Sequence, residues 1–260
     1  GEGSDTDSLQ LPGVQQQLLE EIVATGKPTI VVMTGGRPYS LGGLEEKVAG
    51  FLMAFAPGQE GGRAIADIVS GKEAPSGRLV VSVPKSAGAM PYYYNHKLKS
   101  GGTPIAFHFG AKYPFGFGLS GTTFRYHDLQ LNQQPVAIEN GDIAVQIKVT
   151  NTGNQAGSEV VQVYLRDCVA SLVRPMQELK AFERVELEAG QTATLNFSIP
   201  TDMLNFTSHA GKRIVEPGSV EVQVGSSSAD IHATGKVILA GEVCELPRHW
   251  RMVSRCEVSQ

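Results

Sequence analysis

IAVQIKVTNTGNQAGSEVVQVYL, residues 143–165, decides the fold of the longer part of the chain. Ile143, Val145, Ile147 and Val149 alternate with polar residues, then NTGN (151–154) turns the chain, and Val161, Val163 and Leu165 alternate again. Side chains of a strand point to opposite faces in turn, so a period of two marks a strand with one buried face. The same period returns in Ala193, Leu195, Phe197 and Ile199 and in Val220, Val222 and Val224, with turn clusters EAGQ (188–191) and EPGS (216–219) between. Short alternating strands separated by such turns predict a β-sandwich from about residue 126 to 240.

Short alternating strands with such turns over about 110 residues suit a sandwich of the immunoglobulin or fibronectin III kind. The tail, 241–260, carries no matching pattern and is left unassigned. Upstream, the period changes. Val14, Leu18 and Ile22 recur at four-residue spacing behind Pro12, predicting a helix over 14–24 with one apolar face, stopped by Gly26 and Pro28. TIVVMT (29–34) reads as a parallel strand buried on both faces, as does 48–55. PGQEGG (57–62) then leads to a helix over 63–69 and a strand over 79–83. Residues 1–84 thus read as alternating α and β elements with a mostly parallel sheet.

Between the two regions, 85–125 shows no periodicity but holds Tyr92, Tyr93, Tyr94, Phe107, Phe109, Tyr113, Phe115 and Phe117. So many rings in a long connection predict a packed loop, with sugar stacking by Tyr92–Tyr94 and His96 as the alternative to core packing. Gly116, Gly118 and Gly121 form a literal GxGxxG, but an aromatic loop precedes it and a β-rich TTFRY follows, so a dinucleotide-binding turn is not expected.

The charge balance excludes further classes. With 22 basic and 26 acidic residues the net charge is -4, which provides no basic footprint for nucleic acid or an anionic membrane. The longest nearly apolar stretch, 48–56, is about half of the ~20 residues a spanning helix needs. No basic-then-apolar leader opens the chain and its first residue is Gly, so the native N-terminus is expected to lie upstream. Cys168, Cys244 and Cys256 lack metal-site spacing; a Cys244–Cys256 disulfide and three free thiols stand as alternatives, and no metal or cofactor is expected. NFS at Asn196 and NFT at Asn205 are glycosylation sequons, the first inside an expected strand. Glu2, Asp5 and Asp7 cluster before the first helix, where acids complement a helix dipole and where a loop can also present a carboxyl into a cleft.

Four longer motifs resemble glycoside hydrolase family 3, the β-glucosidase and β-xylosidase family. PTIVVMTGGRP (28–38) is similar to its KPxVxVxxxGRP strand and loop, and AFAPGQEGGRAIADIVSGKEAPSGRLVVSVP (54–84) to its PGQEGGxAIADxLxGxxxPSGRLPxxxP signature. YPFGFGLSGTTFRY (113–126) resembles FPFGxGLSYTxF, while NTGNQAGSEVVQVYLRD (151–167) with RPMQELKAFERVELEAGQT (174–192) looks like the family's fibronectin III-like domain. The resemblance implies the C-terminal half of an α/β sandwich followed by an all-β fibronectin III-like domain. GEGSDTDSLQLPG (1–13) resembles the family's GExxDRxxLxLPG loop, which places the acid/base carboxyl at Glu2, with Asp5 as second candidate. Thr6 stands where the family has Arg, Phe55 where it has Trp or Tyr, Gly121 where it has Tyr and Cys168 where it has Pro.

The implied function is part of a retaining exo-acting β-glucosidase that removes terminal non-reducing β-D-glucosyl residues from oligosaccharides or glycosides. Its nucleophilic Asp would lie in an N-terminal (β/α)8 barrel, in cis or as a cleaved chain, so these 260 residues alone are expected to be inactive. A β-xylosidase of the same family and a non-catalytic carbohydrate-binding or scaffold module are the alternatives. The resemblance also implies a secreted or periplasmic enzyme, with the cytoplasm and a homodimer left open.

Overall fold

The computed structural model describes residues 3–97 and 110–260, which fall into two compact units. Their boundary is not a single point in the chain. Among the described residues the first unit holds 3–74, 83–91 and 110–112, and the second holds 75–82, 92–97 and 113–260.

The first unit runs α1 (Gln15–Ala24), β1 (Ile30–Thr34), β2 (Gly50–Phe55), α2 (Gly61–Val69), β3 (Val83–Pro84) and β4 (Ala111–Tyr113), the last strand ending at the boundary. β1 and β2 pair in parallel from Ile30↔Gly50, with a register shift after Met33. The expected parallel sheet is therefore two strands wide among the described residues; β3 and β4 form a separate pair. Leu19, Met33 and Leu41 are its buried core. Gly26, at φ +72°, closes α1 in the left-handed conformation that suits glycine, and its N–H bonds to Val23 O.

The direction of α1 departs from expectation. Val14, Leu18 and Ile22 are 76%, 60% and 41% exposed, and it is Leu19 that packs inward. Ile30 and Val32 of β1 are exposed as well. Periodicity identified an apolar stripe correctly, but nothing in this unit covers it. α2 begins at Gly61, two residues earlier than its sequence pattern suggests, and a Cβ at Gly61 would lie 2.6 Å from the Pro57 ring, so glycine suits this close approach.

The second unit contains β5 (Phe124–Leu131), β6 (Val136–Ala137), β7 (Asp142–Asn151), β8 (Gly157–Asp167), β9 (Glu178–Leu187) and β10 (Thr192–Pro200). There follow β11 (Phe206–Thr207), β12 (Arg213–Val215), β13 (Gly218–Ser227), β14 (Asp230–Ala240), β15 (Cys244–Glu245) and β16 (Arg255–Ser259). One sheet has the order β6-β14-β13-β8-β9, a second β16-β10-β7-β5, and β11-β12-β15 form a small third. Every alternating apolar residue named above, from Ile143 to Val224, is buried in the core between them. The inward faces of β7 and β10 meet those of β8 and β13, as a sandwich requires.

β8 is buried on its outer face too. Tyr164 there is fully buried, with the Tyr94 ring edge-on at 5.9 Å, and Tyr94 stacks on Phe115 at 4.1 Å. The Tyr94 hydroxyl accepts the Leu179 N–H. The aromatic connection is thus sandwich packing at Tyr94 and Phe115, while Tyr93 is exposed and Phe107 and Phe109 lie outside the described residues. Buried Gln162 donates to Gly116 O and Ser226 O and accepts the Tyr164 hydroxyl. A Cβ at Gly116 would meet Gln162 at 2.1 Å, and one at Gly118 would meet Gly77 O at 2.4 Å, so these glycines serve close packing of the loop. The strand expected at 79–83 shrinks to β3: Leu79 exchanges backbone bonds with Gly116 and Phe117, and Val80 is exposed. Nearby, Arg78 and Glu159 form a buried ion pair at 2.8 Å.

The unassigned tail is ordered into strands. β16 pairs antiparallel with β10 from Thr194↔Ser259 to Ser198↔Arg255, and Arg251 clamps the approach through Asp142, Asp202 and Gly141 O. Cys244 and Cys256 sit in different sheets, and all three cysteines are free thiols, so the disulfide alternative falls. Asn196 lies mid-sheet between β7 and β16 and accepts from Gln146 Nε2. Asn205 donates to Asp202 O and accepts from Arg213, so both sequon side chains are engaged within the fold.

Candidate functional site

The candidate site lies in the first unit, at the C-terminal ends of β1 and β2. Open parallel sheets place their ligand-binding loops at that end, because the chain leaves each strand there. The loop after β1 opens with Gly35, whose N–H bonds to Phe55 O at the end of β2, so the two loops leave from a joined base. Phe55 has φ +48°, a left-handed conformation costing a non-glycine residue about 1 kcal/mol. The register shift after Met33 faces it. Strain of that kind persists where surrounding structure fixes it, often beside binding sites.

Residues 3–13 run beside the loop after β1. Gln10 and Ser40 make a parallel bridge, Ser40 N–H bonds to Leu9 O at 2.7 Å, and Arg37 Nη2 donates to Ser4 O at 2.5 Å. The GGRP arginine thus holds the acid-bearing loop by its backbone. Within that loop the Thr6 hydroxyl takes the Ser8 N–H, closing a local turn at the position where the resemblance expects Arg.

Glu2, the first choice for acid/base, lies outside the described residues. Asp5 lies on the tethered loop and is exposed, as is Asp7. Neither serves the helix dipole. α1 begins at Gln15 and its first turn carries no acid, which removes that reading of the cluster.

A carboxylate that the sequence did not flag anchors the same loop. Glu45 is half-buried with its side chain only 5% exposed, and its Oε1 accepts Lys112 Nζ at 2.6 Å and Leu41 N–H at 3.0 Å. Burial would raise its pKa, but the bonds from Lys112 and from backbone amides outweigh that and hold the carboxyl below the ordinary glutamate value. No local motif marks Glu45; its partners are 67 residues away and four residues away, and only folding joins them. Among the described residues no group of three His, Cys, Asp or Glu side chains is placed to hold a metal ion.

The chain matches two family models: the glycosyl hydrolase family 3 C-terminal domain over residues 1–121 and the fibronectin type III-like domain over 159–228. It is 40% identical over 232 residues to a β-xylosidase of Formosa agariphila, covering 88% of this chain and 32% of that protein. To a periplasmic β-glucosidase of Salmonella typhimurium it is 37% identical over 242 residues, covering 88% and 31%. Among solved structures, a β-glucosidase of Listeria innocua in complex with glucose superposes with a TM-score of 0.82 at 34% identity, over 94% of this chain and 35% of that one. The chain spans about a third of the length of the curated relatives it matches.

Proposed function

The chain belongs to glycoside hydrolase family 3, and from that premise we propose that it is the C-terminal part of a retaining exo-acting β-glucosidase in which Glu2 is the acid/base. The observation that carries the reading is the tether of the 3–13 loop to the GGRP loop at the C-terminal end of β1, through Arg37 and Ser40. The tether holds this loop by its backbone at Ser4 and Leu9, and Asp5 on it is exposed.

Retention needs two carboxyl groups about 5 to 5.5 Å apart. In the first step an Asp on a barrel outside these residues attacks the anomeric carbon while Glu2 gives its proton to the leaving oxygen. In the second, the Glu2 carboxylate takes a proton from water as that water attacks the glycosyl-enzyme ester, and the Asp leaves. The approach of a second negative charge raises a glutamate's pKa, which keeps Glu2 protonated for the first step. Asp5 is the alternative donor on the same loop.

The exposed stripe of Val14, Leu18 and Ile22, with Ile30 and Val32, supports a further layer of polypeptide against the first unit, in cis or as a cleaved chain. The second reading within the family is a β-xylosidase, which the name of the Formosa agariphila relative favours. A secreted or periplasmic location accords with the periplasmic relative, and among the described residues no helix is long and apolar enough to cross a membrane.

The test is Glu2→Gln in the full-length enzyme, on aryl β-glucosides and β-xylosides of graded leaving-group acidity. Loss of the proton donor should lower kcat/KM for poor leaving groups by about 10²- to 10⁴-fold, and much less for dinitrophenyl glycosides. Equal loss across the series rules out Glu2 as the donor; the same pattern from Asp5→Asn instead would move the role there.

A further inference from the structure

The backbone at Ser40 and Leu41 is bonded from several directions, all within the first unit. Ser40 holds the 3–13 loop through its N–H to Leu9 O at 2.7 Å and its parallel bridge with Gln10. Leu41 is fully buried; its carbonyl accepts Gln16 Nε2 of α1 at 3.3 Å, and its N–H goes to Glu45 Oε1 at 3.0 Å. The Ser40 hydroxyl reaches the same carboxyl oxygen at 3.4 Å and accepts the Gly42 N–H.

Glu45 joins this stretch to a distant strand. Its side chain is 5% exposed, and Lys112 of β4 donates to it at 2.6 Å from 67 residues away. A carboxylate so little exposed is costly unless paired, and a bond within a local turn would not by itself call for that lysine. The pair fixes the loop after β1, which in turn holds the acid-bearing loop twice: at Leu9 and Gln10 through Ser40, and at Ser4 through Arg37. Asp5 lies between the two attachments, and Glu2 lies two residues before Ser4. A proton donor must come within hydrogen-bond reach of the leaving oxygen, so small shifts of its backbone are felt in the rate.

We propose that Glu45 is a positioning residue for the proton donor, acting with Lys112 through the backbone of residues 4–10. The inference rests on the glycosidase reading and deepens it.

In the full-length enzyme, Glu45→Ala should lower kcat/KM by about 10- to 100-fold for glycosides with poor leaving groups, and by about threefold or less for dinitrophenyl glycosides, which need little protonation. Rates are taken per active site, counted by the burst of dinitrophenol from a 2-deoxy-2-fluoro glycoside, so that unfolded enzyme does not imitate the effect. Lys112→Met should give the same graded pattern. Glu45→Gln, which keeps an acceptor for the Leu41 N–H, should recover about fivefold of the loss. Without the donor the effect should vanish: in a Glu2→Gln background, or Asp5→Asn if that residue is the donor, Glu45→Ala should cost less than about twofold more, since a missing group cannot be misplaced. Equal loss across the leaving groups, wild-type rates in Glu45→Ala, or full additivity with the donor variant overturns the proposal. If Glu2→Gln or Asp5→Asn still gives a graded loss, only the role of Glu45 falls; flat profiles in all three overturn the acid/base reading as well.

Discussion

Glu45 shows how one carboxylate can set the acid limit of a loop. Its folded-state pKa lies below the ordinary value of 4.5, so it contributes stability above that value and loses it as pH falls through the folded one. The loop joining β1 to β2 should therefore loosen below about pH 4.5. Hydrogen exchange of Leu41 and Leu44 amides should rise there in the wild type, and Glu45→Gln should flatten the dependence while raising exchange at neutral pH. None of this was legible beforehand, because Glu45 sits in an unremarkable GGLEEK stretch and its charge partner follows an aromatic connection. Glu2 was legible only through resemblance. Its neighbours in the sequence allowed both a dipole role and a catalytic one, and the position of α1 removes the first for Asp5 and Asp7.

At the level of elements, β16 closes an edge that β10 would otherwise present to solvent. Five residue pairs join the two strands, and Arg251 holds the approach with bonds to Asp142, Asp202 and Gly141 O. A chain ending at residue 249 should lose several kcal/mol, with roughly 0.5–1.5 kcal/mol lost per hydrogen bond. It should also aggregate through the bared edge. Arg251→Ala should cost about 1 kcal/mol, visible as a lower urea midpoint with unchanged slope. The central strands were readable because period two survives wherever one face is buried. β15 and β16 were not, since two- and five-residue strands at a margin carry too few inward positions to show a period.

Across the whole molecule, the uncovered stripe on α1 separates what this chain holds from what it needs. Leu18→Ser should leave the stability of the 260-residue chain within about 0.5 kcal/mol, since a side chain 60% exposed loses little by becoming polar. In the full-length enzyme the same change should cost about 1 to 2 kcal/mol, the scale of burying a leucine against added polypeptide. Equal small effects in both, by thermal unfolding, would leave the stripe without a covering layer. Here periodicity found the face of α1 and missed its direction, because a repeat records that a surface is apolar and not which body covers it.

The interleaving of the two units has a bearing on how such a protein is inherited. Among the described residues the chain enters the second unit at 75, returns to the first at 83, leaves at 92 and is back before 112. A recombination joint anywhere in that interval would divide one unit between two parents. Since any joint between 75 and 112 splits at least one unit, lineages that exchange these modules should carry the two units together as a single cassette.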